Sequence, residues 1–385
     1  MTAGGDDLAG MLRGRIRRDG PISFARFMEA ALYHPEFGYY TSSSGGPDDY
    51  FTSVTAHPAF GAMLANHLDD VWRLLDRPEP FRVVELGAGD GRLAGHIRAA
   101  AAGFPWGAKL AYTGVEIRPA PQASISAGVR FVTSIEEARD AVYEPCAERT
   151  EETAGGCVAV ISNEYFDALP FHLLRREGND WIEELVDITD DGFSYIDAAP
   201  TPDLLAYADT YGTNLPDGGR LEARPAIAAI YSEIATLAPR IAMTTIDYGG
   251  LAADIHGERL KAGTALAYRG HRAGEDLLRD PGRQDLTAHV SFTALIDAGA
   301  AVGLAHLPPT PQADFLVALG IGEYLPHLQT VPGVTPERYA RERAAVMQLL
   351  DPQEMGRFPV LFQLPSGVSS PTSNTRQIRG FQPSL

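Results

Sequence analysis

The feature that most constrains this chain is its passage from the apolar run Phe81 to Val84 into the turn Glu85-Leu-Gly-Ala-Gly-Asp-Gly91, and from there into a helical pattern over Leu93 to Ala102. A strand that ends in alternating glycines and reopens as a helix brings backbone N–H groups to the end of a parallel strand. Residues without Cβ let a ligand approach closely there. Such a passage predicts an α/β fold with a cofactor at that strand end, the alternative being a tight strand-to-helix turn that binds nothing.

The spacing decides which cofactor. A dinucleotide fingerprint, G-x-G-x-x-G, needs its third glycine at position 92, which is Arg92, whereas Gly87, Gly89 and Gly91 alternate. Glu85 and Asp90 bracket the loop, and carboxylates there would repel a pyrophosphate seeking helix-terminal N–H groups. S-adenosylmethionine (SAM) has no phosphate, and its sulfonium and ammonium groups tolerate acidic neighbours. A second strand, Tyr112 to Ile117, carries Glu116 near its end, where a carboxylate accepts from ribose hydroxyls. NAD enzymes use the same device, so the glycine spacing is what favours SAM.

Alternating strand and helix patterns predict a doubly wound, mostly parallel sheet. Its strands are Arg82–Leu86, Tyr112–Glu116, Val129–Thr133, Val158–Ser162 and Ile241–Asp247. Ahead of them, Phe24, Phe27, Met28, Ala31 and Leu32 recur at helical spacing behind Ser23 as N-cap, and a second helix runs from about Pro58 to Leu75. Between the fourth and fifth strands, His172–Glu177 and Trp181–Ile188 flank Gly178-Asn179-Asp180 as a β-hairpin, and Pro225–Leu237 reads as a helix. An irregular stretch reaches about Ala288. Helices near Phe292–Ala298, Ala313–Leu319 and Pro336–Leu350 and a strand at Phe358–Gln363 follow. We expect a helical cap over 1–80, the core over 81–168 and 235–365, an insertion on the substrate side over 169–234, and a mobile tail over 366–385. The segment 143–155 reads as an acidic surface loop.

With 50 acidic against 32 basic residues, a net charge of −18 and no long Lys/Arg run, the chain is not expected to bind nucleic acid. Two cysteines, Cys146 and Cys157, offer no disulfide framework or metal spacing, and no metal site is expected. No stretch reaches the ~18 apolar residues of a membrane span, and Met1–Gly10 lacks a basic-then-apolar leader. A soluble, cytoplasmic protein without a membrane partner is the expectation, with room for a homodimer.

The fourth strand runs into Ser162-Asn-Glu-Tyr-Phe-Asp-Ala-Leu-Pro170. Residues just past that strand sit beside the cofactor crevice of a doubly wound sheet. Asn163, Glu164 and Asp167 are the candidates to meet the methyl acceptor. Paired carboxylates suit a guanidinium, which is planar and takes bidentate hydrogen bonds. By localising positive charge on two of its nitrogens they free the third for attack on the donor methyl. Asp167 as a mere N-cap of a helix starting at Ala168, and Glu164 as a solvated side chain, are the structural alternatives. Ile246-Asp-Tyr-Gly249 ends the fifth strand at the same edge, so Asp247 and Tyr248 are placed to close the acceptor pocket. His271-Arg272 and Gln284-Asp-Leu-Thr-Ala-His-Val290 lie in the irregular stretch, with Asp285 and His289 as candidates; His289 is either a general base or a packing histidine.

These residues resemble the MidA family of SAM-dependent methyltransferases, which includes a mitochondrial protein-arginine methyltransferase that assists complex I assembly. The likeness runs through Pro21-Ile-Ser-Phe24, Ala31-Leu-Tyr-His-Pro-Glu-Phe-Gly-Tyr-Tyr40, Asp49-Tyr-Phe-Thr-Ser53, the glycine turn, Val115-Glu-Ile117, Asn163–Pro170, Ile246–Gly249, Gln284–Val290 and Leu349-Leu-Asp-Pro352. It implies a Rossmann-like class I methyltransferase core, SAM as donor and an arginine guanidino nitrogen as acceptor. The family's turn usually reads Glu-Leu-Gly-Pro-Gly-Arg-Gly, whereas here Ala88 and Asp90 stand in place of proline and arginine. The more acidic mouth makes free arginine as credible an acceptor as a protein side chain.

The resulting expectation is an N-methyltransferase. Phe51, Thr52 and Ser53 cover the cofactor, Glu85, Gly87, Gly89 and Gly91 form its cradle, Glu116 and Ile117 hold the ribose side, Ser134 lies near the adenine, and Asn163 completes the set. Glu164, Asp167, Tyr248, Asp285 and His289 face a cationic guanidino substrate. Two alternatives stand beside it: a different N or O acceptor with His289 as base, and a SAM-binding assembly factor without turnover.

Overall fold

The computed structural model describes residues 7–42, 52–118, 128–143, 156–190, 192–270, 272–366 and 378–381. Phe51, Cys146, His271, most of the acidic segment 143–155 and most of the tail 366–385 lie outside the described residues. The chain divides into two compact units, one of Phe51–Tyr165, Ile230–Tyr248 and Ile296–Leu385, the other of Met1–Tyr50, Phe166–Ala229 and Gly249–Leu295.

The first unit, the core unit, is built on a sheet whose strands are β1 (Phe81–Leu86), β2 (Leu110–Val115), β3 (Val129–Val132), β4 (Cys157–Asn163), β5 (Arg240–Ile246), β6 (Leu304–His306) and β7 (Pro359–Pro365). Their spatial order is β6-β7-β5-β4-β1-β2-β3, and the short strand Thr310–Pro311 adds to β7. β1 through β5 pair in parallel, while β7 runs antiparallel to β5 and to β6. Parallel neighbours require crossovers, supplied after β1 by the helix Arg92–Ala101 and after β3 by Ile135–Tyr143. Every residue of β4 is buried, as expected of a strand covered on both faces. The helix Ala59–Leu74 packs against Arg92–Ala101 at Gly61, where a Cβ would lie 2.4 Å from that of His96. Phe60, Leu64, Leu68, Phe81, Ile97, Trp106, Phe315 and Phe362 share one apolar cluster with the C-terminal helices.

The second unit carries a five-stranded antiparallel sheet. Its hairpin, His172–Glu177 with Asp180–Thr189, is extended by Arg220–Ala223 beside the first strand, while Ile22–Ser23 and Gly192–Ala198 pair with opposite edges of the second at Leu185 and Val186. The helices Leu8–Asp19 and Phe24–Tyr33 bury Leu12, Ile16, Phe24, Phe27 and Met28 with Phe171, Leu173 and Val186 of that sheet unit. Ser23 caps the second helix through Arg26 N, as its position predicted.

Three expectations need correction. The helical cap expected over 1–80 divides: residues before 51 belong with the antiparallel sheet, while Ala59–Leu74 belongs to the core, because its apolar face enters the core cluster. The stretch read as irregular up to Ala288 holds a three-stranded sheet of Leu266–Arg269, Arg272–Gly274 and Asp285–Thr287. Its strands are too short to show an alternation and pair across distant sequence. No helix starts at Ala168; residues 165–170 form turns.

Candidate active site

The strand ends of the core unit are level. Leu86 pairs with Val115 and with Ser162, and Asn163 pairs with Ile246, so the segments after β1, β2, β4 and β5 emerge along one edge. The order reverses at β1, which lies between β2 and β4, and this switch point is where doubly wound sheets bind ligands.

Immediately after β1 the chain turns back over the end of β2. Gly87 N–H and Ala88 N–H both donate to Val115 O, at 3.0 and 3.1 Å. Gly87, Gly89 and Gly91 have φ of 69°, 55° and 75°, the left-handed region that favours glycine. A Cβ on Gly87 would come within 2.9 Å of the Tyr165 ring, and one on Gly114 within 2.7 Å of Ala88 Cβ. Gly91 occupies the N-cap of Arg92–Ala101 and, as glycine, offers the first-turn N–H groups no side-chain cap of its own. Glu116 closes the turn from β2: its Oε2 accepts from Gly89 N at 2.7 Å and its Oε1 from Arg118 N at 3.1 Å. Ile117 beside it is 49% exposed.

The electrostatic part of the sequence argument changes. Glu85 is buried, and its Oε2 accepts from the Tyr112 hydroxyl at 2.8 Å. Burial pushes its carboxyl up to about 8, with Glu116 and Asp90 adding to the shift and the Tyr112 hydrogen bond opposing it. At neutral pH Glu85 is therefore mostly protonated and cannot repel a phosphate. Asp90 is paired with Arg92 at 2.9 Å and accepts from Arg92 N–H, so the mouth is less acidic than the sequence suggested. Spacing and backbone conformation carry the SAM assignment without help from charge.

Ser134 and Thr52 have local duties. The Ser134 hydroxyl accepts from Glu137 N at 3.1 Å in the first turn of Ile135–Tyr143, and Thr52 forms a capping box with Thr55. Ser53 is central: its N–H donates to Glu164 Oε1 at 3.0 Å and its buried hydroxyl to Gln312 Oε1 at 3.0 Å. Gln312 in turn donates to Leu349 O at 3.1 Å. Gln312 was invisible to sequence reasoning, because it lies far along the chain and only the packed C-terminal helices bring it to Ser53.

Glu164 follows β4 with φ of 50°, an unusual conformation for a residue with a side chain and one that clusters at functional positions. Its N–H donates to Ile246 O at 2.8 Å, and its Oε1 also accepts from Asn163 Nδ2 at 3.2 Å. Asn163 is 8% exposed, and its buried Oδ1 has no hydrogen-bond partner among the described residues. Asp247 is fully buried and holds this loop, accepting from Tyr165 N at 3.2 Å and from Tyr248 N at 2.9 Å. Tyr248 packs at a tilt against Phe358 with ring centroids 5.6 Å apart.

The remaining candidates, Asp167, Asp285 and His289, belong to the second unit. Asp167 Oδ2 accepts from the Thr287 hydroxyl at 2.8 Å, a role different from the helix cap that was the alternative reading of this residue. Asp285, on the same face of its strand as Thr287, accepts from the Tyr40 hydroxyl at 2.7 Å. Tyr40 packs against Tyr33, whose hydroxyl donates to Ala168 O at 2.9 Å. His289 is half-buried, and its N–H donates to the Thr264 hydroxyl at 3.0 Å. Tyr33, Tyr40 and Thr287 escaped sequence reasoning as site residues. Tyr40 and Thr287 are ordinary residues until the fold places them beside a carboxylate, and Tyr33 until it meets Ala168 O.

The core unit's cradle fits SAM. Its glycines leave room where a Cβ would intrude, and Asn163 Oδ1 is an orphaned acceptor suited to a ligand with ammonium and hydroxyl donors. A doubly wound sheet with this cradle at its switch point defines the Rossmann-like class of SAM-dependent methyltransferases. Within that class, the chain belongs to the family Methyltransf_28, described as S-adenosyl-L-methionine-dependent methyltransferase, whose model matches residues 63–310. It is 29% identical to the protein arginine methyltransferase NDUFAF7 homolog, mitochondrial, of Drosophila melanogaster over 94% of this chain and 86% of that one. The Homo sapiens protein arginine methyltransferase NDUFAF7, mitochondrial, is 27% identical over 91% of this chain and 82% of its own. Among solved structures, a COG1565 superfamily member from Burkholderia thailandensis bound to S-adenosyl-homocysteine superposes with a TM-score of 0.75 at 27% identity, covering 98% of this chain and 93% of that chain. SAM is the cofactor, and the chain is an enzyme of the methyltransferase class.

Proposed function

We propose that the enzyme methylates a guanidino nitrogen of arginine, either the free amino acid or a residue of a protein. The observation that carries this reading is Glu164, a carboxylate in a left-handed backbone conformation at the sheet's switch point, oriented by Ser53 N–H and Asn163 Nδ2. A side chain held at conformational cost by two donors is fixed in direction, as recognition of a planar cation requires. The relatives named protein arginine methyltransferases support the same acceptor chemistry.

When bound, SAM supplies an electrophilic methyl group on a sulfonium. Glu164 would accept hydrogen bonds from two guanidinium nitrogens and draw the positive charge toward them, leaving the third with a more available lone pair for in-line attack. Within the second unit, the Thr287 and Tyr40 hydroxyls fix the directions of the Asp167 and Asp285 carboxylates.

Labelled SAM incubated with arginine, agmatine, guanidinoacetate and arginine peptides identifies the acceptor. Glu164→Gln keeps the side-chain shape and removes the charge. Normal SAM affinity with methyl transfer reduced at least 100-fold is expected; full transfer by this variant would sink the assignment.

A further inference from the structure

Arg224 stands between the strand Arg220–Ala223 and the helix Ala226–Ile234, in the second unit. Pro225 after it holds its backbone out of the helix. A surface arginine would be unremarkable there, but Arg224 is only 2% exposed. Its guanidinium binds backbone carbonyls. Nε donates to Leu169 O at 3.3 Å, Nη1 to His289 O at 2.8 Å, and Nη2 to Asp167 O and Ala288 O, both at 2.9 Å. The Phe171 ring lies 4.9 Å from its Cζ, closing the face of the guanidinium plane.

These carbonyls belong to the two segments that carry Asp167 and His289, and neither segment is in a helix or strand. Buried carbonyls of irregular backbone need donors, and one planar fork satisfies four of them at once. The segments are joined a second time by the Thr287 hydroxyl on Asp167 Oδ2, at 2.8 Å.

We propose that Arg224 is a positioning residue, a clamp within the second unit that sets the Asp167 carboxylate and the His289 backbone relative to one another. The inference rests on the proposed guanidine-methylating role only for its effect on turnover. Lysine keeps the charge but presents a single ammonium, which cannot span four carbonyls in one plane.

Hydrogen–deuterium exchange on the full chain reads the clamp without turnover. Arg224→Lys should speed exchange at residues 167–171 and 286–290 at least tenfold, leave the glycine turn 85–91 unchanged, and leave SAM affinity within twofold. With the guanidine the wild type methylates, kcat/KM should fall at least tenfold, and Arg224→Lys combined with Asp167→Asn should be no slower than Asp167→Asn alone. Unchanged exchange overturns the clamp, and accelerated exchange with undiminished turnover, or additive losses, overturns its positioning role. A wild type that methylates no guanidine instead overturns the functional reading, with the clamp judged by exchange alone. If Arg224→Lys does not fold, Phe171→Leu loosens the same guanidinium and should accelerate exchange in both segments about threefold; no acceleration there would reduce Arg224 to a folding residue.

Discussion

The protonation of Glu85 can be tested by removing its titration. Its carboxyl is buried beneath the glycine turn, 2.8 Å from the Tyr112 hydroxyl, and burial raises it from an ordinary 4.5 to about 8. Below pH 4.5 both folded and unfolded chains carry the proton, and above pH 8 neither does. Between those values the folded state keeps a proton that the unfolded chain has released, so stability falls as pH rises through that window. At 1.36 kcal/mol per unit the full penalty is on the order of 5 kcal/mol. Glu85→Gln retains an acceptor for Tyr112 and does not titrate. Its stability relative to wild type should therefore start near its pH 4.5 value and climb by ~5 kcal/mol by pH 8, then level off. Urea unfolding of both proteins without cofactor, at unit steps from pH 5 to 9, measures the difference directly, since every other group titrates in both and cancels. A difference that stays constant across the series would show that Glu85 is already ionised at pH 5 and would restore the charge argument that burial removes.

Two further outcomes concern the cradle. Gly87→Ala places a Cβ at φ of 69° and within 2.9 Å of the Tyr165 ring, so beyond the ~1–2 kcal/mol cost of the left-handed backbone the turn must shift; calorimetric titration should show SAM binding weakened at least tenfold in a folded protein, and unchanged affinity would refute the close-approach argument. Glu116→Ala removes the acceptor of Gly89 N–H along with the expected ribose contact; a charge-assisted hydrogen bond contributes ~1.5–3 kcal/mol, so SAM affinity should fall roughly 10- to 100-fold, and a loss under twofold would place the cofactor elsewhere.

Local pattern gave the five parallel strands to within two residues at either end, the Ser23 cap, the 178–180 hairpin turn and the helix Pro336–Leu350, because each is written in contiguous periodicity, a cap or a turn residue. The helix Leu8–Asp19, absent from the expectations, carries its signal in the Asp7 cap and the Leu8, Leu12 and Ile16 stripe, which its arginines dilute. The strands Leu266–Arg269 and Asp285–Thr287 were not legible, since strands of three or four residues exist only through their partners.

The sequence by itself determined the turn at Gly87, Gly89 and Gly91, since only glycine meets that backbone without strain and its spacing is fixed along the chain. Tertiary structure alone decided what the charged residues do. Glu85 became a buried, protonated group, Asp167 a partner of Thr287 rather than a helix cap, and Arg224 a clamp on four carbonyls. The backbone conformation of a glycine turn is a local property, whereas burial, hydrogen-bond partners and the proton affinity of a side chain depend on whatever distant residues the fold packs against it.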